Sequence, residues 1–78
     1  MYDVNVLLAE AIKEAECLDE DEIFLVKDLF KGYIWNRILR KDRLLLGTLF
    51  LNYVNHTSNQ LRAIAKTSSN QQQYIKMK

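Results

Sequence analysis

Apolar residues recur with two different periods along this chain, and the change between them is what most limits its fold. In residues 3–16, Val4, Leu7, Leu8, Ala11, Ile12 and Ala15 fall three or four positions apart. That spacing puts them on one face of an amphipathic helix. In residues 40–55, Leu44, Leu45, Leu46, Leu49, Phe50, Tyr53 and Val54 predict a second, longer helix with a wide buried face. From residue 61 the period drops to two. Leu61, Ala63 and Ala65 alternate with Arg62, Ile64 and Lys66, and Gln71, Gln73 and Ile75 alternate with Gln72, Tyr74 and Lys76. Two strands, 61–66 and 71–76, therefore flank the turn-forming residues Thr67, Ser68, Ser69 and Asn70 as a β-hairpin.

Shorter elements fill the gap between the helices. Asp3 suits a helix N-cap, because its carboxylate accepts backbone N–H bonds. Ile23 to Val26 predicts a short strand over 23–26, and Lys27 onward a short helix over 27–31 closed by Gly32 as a C-terminal cap. The aromatic cluster Tyr33–Trp35 then reads as a core plug, with an exposed base-stacking platform as the other option. Gly47 lies inside the second long helix and suggests close helix packing. The 78 residues predict one domain, 1–78, of α+β class and mainly α.

The residue inventory argues against an enzyme. Cys17 is the single cysteine and His56 the single histidine, so neither a disulfide nor a zinc site is expected. Acidic neighbours around Cys17 disfavour a thiolate. Asp19 to Glu22 lacks the alternating ligands and central glycine of a calcium loop. There is no glycine-rich phosphate loop. We therefore expect no catalytic residues, no metal and no cofactor. The apolar stretch 44–54 is too short and too interrupted to span a membrane, and the first residues do not resemble a signal peptide. A cytoplasmic setting fits both.

The net charge of +1 conceals a strong polarity. Residues 1–30 hold nine acids and two bases, or −7, while residues 31–78 hold nine bases and one acid, Asp42, or +8. Such asymmetry suggests an electrostatic partner for at least one half. Mutual attraction of the two halves within the fold is the plainer explanation, and the two are compatible.

Helix, short strand, short helix, long helix and hairpin is the element order of many winged-helix domains. The wording of the middle and tail is narrower still. Phe24, Val26, Lys27, Asp28, Leu29, Phe30, Gly32, Tyr33, Trp35 and Asn36, followed by Arg43, Leu46, Gly47 and Phe50, fit a pattern F-x-V-K-D-L-F-x-G-Y-x-W-N, then R-x-x-L-G-x-x-F. In these residues the chain, over roughly 23–76, resembles a family of small uncharacterised proteins from Gram-positive bacteria and their mobile elements. The resemblance implies a bacterial or phage setting and a winged-helix-like fold. It brings no catalytic residues.

Two functions follow as expectations. The first is a DNA-binding regulator of transcription. Arg40, Lys41, Arg43 and Thr48 on the long helix would lie nearest the DNA, and Arg62, Lys66, Ser68, Ser69, Asn70 and Lys76 on the hairpin would meet phosphates. The first helix would supply a homodimer contact. The second is a protein-interaction module, such as a phage-encoded inhibitor of a host nucleic-acid enzyme. Its acidic face of Glu10, Glu14, Asp19, Glu20 and Asp21 would dock on a basic protein partner.

Overall fold

The computed structural model describes residues 3–57 and 60–77. Helix α1 spans Val4–Glu16 and starts as its sequence suggests, with the Asn5 amide donating to Asp3 Oδ1 at 2.7 Å. Strand β1 is Ile23–Phe24, followed by a single 3₁₀ turn, Val26–Leu29. Helix α2 is Gly32–Arg37 and α3 is Arg40–His56. Strands β2, Leu61–Ile64, and β3, Gln73–Lys76, complete the chain. The sheet is antiparallel in the order β1-β3-β2. This is an α+β fold with helices dominant.

The strand expected at 23–26 stops after Phe24, and the cause is Asp28. Its carboxylate accepts the Leu25 N–H at 2.9 Å, which takes that donor away from the sheet and turns the chain. The short helix expected at 27–31 is accordingly the 3₁₀ turn. Gly32 does not close it. The Ile34 and Trp35 amides both donate to the Lys31 carbonyl at 3.0 Å, so Gly32 opens α2, and neither glycine has a positive φ. The sequence reading missed α2 altogether.

The interior is built around three rings. Phe24 stacks on Tyr74 with centroids 5.7 Å apart, and both meet Phe50, at 6.3 and 5.0 Å, edge to face. Such pairs add roughly 0.5–1.5 kcal/mol each beyond the area they bury. Ala11 and Ala15 on α1 are fully buried against this cluster, with Leu29, Val54 and Leu61 around it. Leu7, Ile38 and Leu46 form a second cluster, with Trp35 packed at its side.

Two expectations about burial change here. The apolar face of α3 is narrow, with only Leu46, Phe50 and Val54 buried. Leu44 and Leu45 remain 64% and 48% exposed. At about 100° per residue, Leu44 lies almost opposite Leu46 on the helix, and the core covers only one side. The aromatic cluster also divides. Trp35 is half-buried against Phe30, with centroids 5.8 Å apart, whereas Tyr33 is exposed beneath the Arg37 guanidinium at 5.1 Å.

The hairpin strands are shorter than 61–66 and 71–76 because side chains organise the connection. The Thr67 hydroxyl accepts the Ser69 and Gln71 amides, both at 3.2 Å. Asn70 takes a left-handed φ of 66°, which asparagine tolerates better than most residues. The Gln72 side-chain amide donates to the Ile64 carbonyl, ending the strand ladder there.

Candidate nucleic-acid interface

A groove of about 390 Å³ runs between α3 and the loop that joins β2 to β3. Arg43, Leu44, Gly47 and Thr48 line one side, and Lys66, Asn70, Gln71 and Gln72 line the other. Lys27 and Trp35 close one part of it. Four residues expected to face nucleic acid, Arg43, Thr48, Lys66 and Asn70, thus share one concavity. Sequence reasoning assigned no site role to Lys27, Gln71 or Gln72. The glutamine run was a visible signal, but Lys27 belongs to the acidic half and reaches the groove only through tertiary packing.

The remaining basic residues separate into three kinds. Arg40 and Lys41 are exposed on the first turn of α3. Arg43 is half-buried, and much of its guanidinium is engaged by the fold. Its Nε donates to the Ile38 carbonyl at 3.0 Å, an Nη donates to the Asn36 carbonyl at 3.4 Å, and the group sits 5.5 Å from the Trp35 ring centre. These contacts hold the α2–α3 corner. They also account for the pairing of Trp35 with Arg43, while Asn36 contributes only its main-chain carbonyl.

Lys76 is a correction, and Arg62 stands apart from the groove. Arg62 is exposed but does not line the groove. It pairs with Ile75, whereas the core-facing residues of the hairpin are Leu61, Tyr74 and Lys76. Alternation therefore puts Arg62 on the outer face of the sheet. Lys76 shares its parity with Tyr74 and points inward, with only 4% of its surface exposed. Its Nζ donates to the Glu16 carbonyl at 3.0 Å and contacts the Leu18 carbonyl at 3.5 Å. Carbonyls at a helix C-terminus lack helical partners and carry partial negative charge, so an ammonium there satisfies both needs. Ser68 and Ser69 are exposed on the turn beside Asn70.

The acidic set is divided as well. Glu10 and Glu14 line a second concavity of about 330 Å³ with Asp28, Lys31 and Ile34. Asp19, Glu20 and Asp21 are exposed on the connection beyond α1. There Glu22 accepts the Asp19 amide at 2.6 Å, and the Asp21 amide donates to the Lys76 carbonyl at 2.7 Å. Among the described residues no group of three His, Cys, Asp or Glu is arranged to hold a metal. Cys17 is exposed. No helix among the described residues is long and apolar enough to cross a membrane. Gly47 faces open space, since a Cβ built there meets nothing within 4 Å. Close helix packing is therefore not its role.

The sequence matches DUF1413, a domain of unknown function, over residues 9–76. The chain belongs to the DUF1413 family. Comparison with curated proteins and with solved structures finds no match. The DUF1413 match takes in residues 9–16 of α1, which the motif resemblance left outside. The shared words of that motif are mostly structural in this chain. Phe24, Leu29, Leu46 and Phe50 are buried, Asp28 starts the 3₁₀ turn, and Trp35, Asn36 and Arg43 hold a corner. In this DUF1413 chain the motif residues largely build the fold, and Val26, Lys27, Trp35, Arg43 and Gly47 among them also line the groove.

Proposed function

We propose that this DUF1413 protein is a small DNA-binding regulator with a winged-helix-like fold. In this reading α3 is the recognition helix and the β2–β3 loop is the wing. The observation that carries it is the groove itself, where α3 and the loop meet and where Thr48, Lys66 and Asn70 converge. The sheet order β1-β3-β2 and the sequence of elements support the same reading. The fold alone is only an analogy. Arg40 and Lys41 on α3 and Lys66, Ser68, Ser69 and Asn70 on the β2–β3 loop supply phosphate donors, and Arg43 positions the start of α3. The resemblance to proteins of Gram-positive bacteria and their mobile elements adds a bacterial or phage setting, in the cytoplasm. A homodimer through α1 would pair two half-sites, and Val6, 59% exposed on that helix, is available for it.

The test is fluorescence anisotropy with mixed-sequence duplexes at low salt. Binding in the micromolar range is expected. With three or four phosphates neutralised, log K should fall against log salt with a slope of about −3. Affinity no tighter than millimolar at low salt would sink the proposal.

The concavity of Glu10, Glu14 and Asp28 favours a second reading. There the protein docks through its acidic face on a basic partner, such as a host nucleic-acid enzyme that a phage protein inhibits. Capture of one enzyme that survives nuclease treatment, and is lost in a Glu10→Lys, Glu14→Lys variant, supports it.

A further inference from the structure

We infer that the exposed row of α3 reads A·T base pairs in the major groove, by packing against thymine methyl groups. This rests on the DNA-binding reading above and specifies which duplex it favours.

Leu44, Thr48 and Asn52 stand four residues apart, and Asn55 follows. All four are exposed. At about 100° per residue they form one stripe along the helix, with Lys41 and Leu45 beside it. From Leu44 to His56 the helix carries no arginine or lysine. Guanine is read mainly by paired donors from those two residues. Arg43, the nearest, is held by bonds from its Nε and one Nη to the Ile38 and Asn36 carbonyls and by the Trp35 ring, which turns its guanidinium towards the α2–α3 corner. The stripe therefore offers little for guanine beyond its first turn.

What the stripe does offer suits A·T pairs. Leu44 is the most exposed large apolar residue described, at 64%. The Thr48 hydroxyl donates back to the Leu44 carbonyl at 3.2 Å. Its hydrogen is thereby used within the helix, and its methyl remains to meet a partner. The C5 methyl of thymine is the apolar feature of the major groove, and asparagine amides match adenine N6 and N7. Charge selects DNA as the occupant over an apolar protein surface. Arg40 and Lys41 flank the stripe at one end, and Lys66 lies across the groove.

The experiment compares four duplexes of equal length at low salt. One is rich in A·T, one is the same with uracil for thymine, one is inosine–cytosine and one is rich in G·C. The A·T duplex should bind about tenfold tighter than the G·C duplex. Uracil should weaken binding about fourfold for each thymine methyl that it takes out of the interface. Leu44→Ser, at an exposed position, should shrink the thymine–uracil difference, and so should Thr48→Ser, which removes only a methyl. Equal affinity for the thymine and uracil duplexes would overturn the inference while leaving DNA binding intact. So would equal affinity for inosine–cytosine, which imitates A·T only in the minor groove. Binding to none of the four would remove the DNA reading itself.

Discussion

The Lys76 ammonium donates to the main-chain carbonyl of Glu16 at 3.0 Å, joining residues 60 positions apart. The bond ties the end of α1 to β3 from inside the fold. Replacing Lys76 with methionine keeps much of the stem but leaves the carbonyls of Glu16 and Leu18 without that donor. Hydrogen bonds from charged groups contribute about 1.5–3 kcal/mol. Lys76→Met should therefore lower the urea midpoint by a loss in that range. The folded variant should bind duplex DNA like the parent. A large loss of affinity with unchanged stability would return Lys76 to the phosphate-contacting set.

Arg43 should behave as a residue of the fold. Arg43→Ala removes two donors to carbonyls and the stacking on Trp35, and should cost about 1–3 kcal/mol in chemical denaturation. Arg43→Lys should recover little of it, because an ammonium lacks the planar fork. Arg40→Ala and Lys41→Ala, on the exposed first turn, should leave stability within about 0.5 kcal/mol. Each should weaken DNA binding and flatten its salt dependence.

Gly47→Ala should stabilise the protein. A mid-helix glycine costs about 1 kcal/mol relative to alanine, and nothing lies within 4 Å of the added Cβ. For a domain this small, about 1 kcal/mol raises Tm by roughly 4–8 °C. A fall in Tm, read by circular dichroism, would mean that α3 has a tighter neighbour than the groove.

Tyr74 should set an alkaline limit. Burial pushes its phenol up to about 12 from 10.0. The folded state thus holds the proton after the unfolded chain has lost it. The stability that goes with the neutral phenol is fully present below pH 10 and is lost as pH rises from 10 towards 12. The slope of this contribution is at most about 1.4 kcal/mol per pH unit. Tyr74→Phe should remove that component of the alkaline slope, and the difference between the two denaturation profiles measures it.

The two long helices and the hairpin were legible because periodicity is local. The α+β class and the element order followed from them. What escaped the sequence depended on a side chain reaching its own backbone or a distant one. Asp28 cut β1 short by taking the Leu25 N–H, and Thr67 and Gln72 shortened the hairpin. The candidate interface was half legible. Composition marked Lys66 and Asn70 as polar hairpin residues, and the fold brings both to the groove beside α3, yet composition could not separate Arg62, on the outer face, from Lys76 within. The parity with Tyr74 was the available clue. Leu44 and Leu45 looked like core because leucines usually are, and only the narrowness of the covered side left them out.

The sheet order has one more consequence, for how the chain comes together. β3 is last among the strands and yet is the middle one. Until it arrives, neither β1 nor β2 has a strand to pair with, and α1 lacks its internal lysine. The helices can therefore coil early, but the sheet cannot close before β3 is in place. Non-local pairing of this kind slows folding, so the docking of β3 between β1 and β2 is the step on which the whole sheet waits.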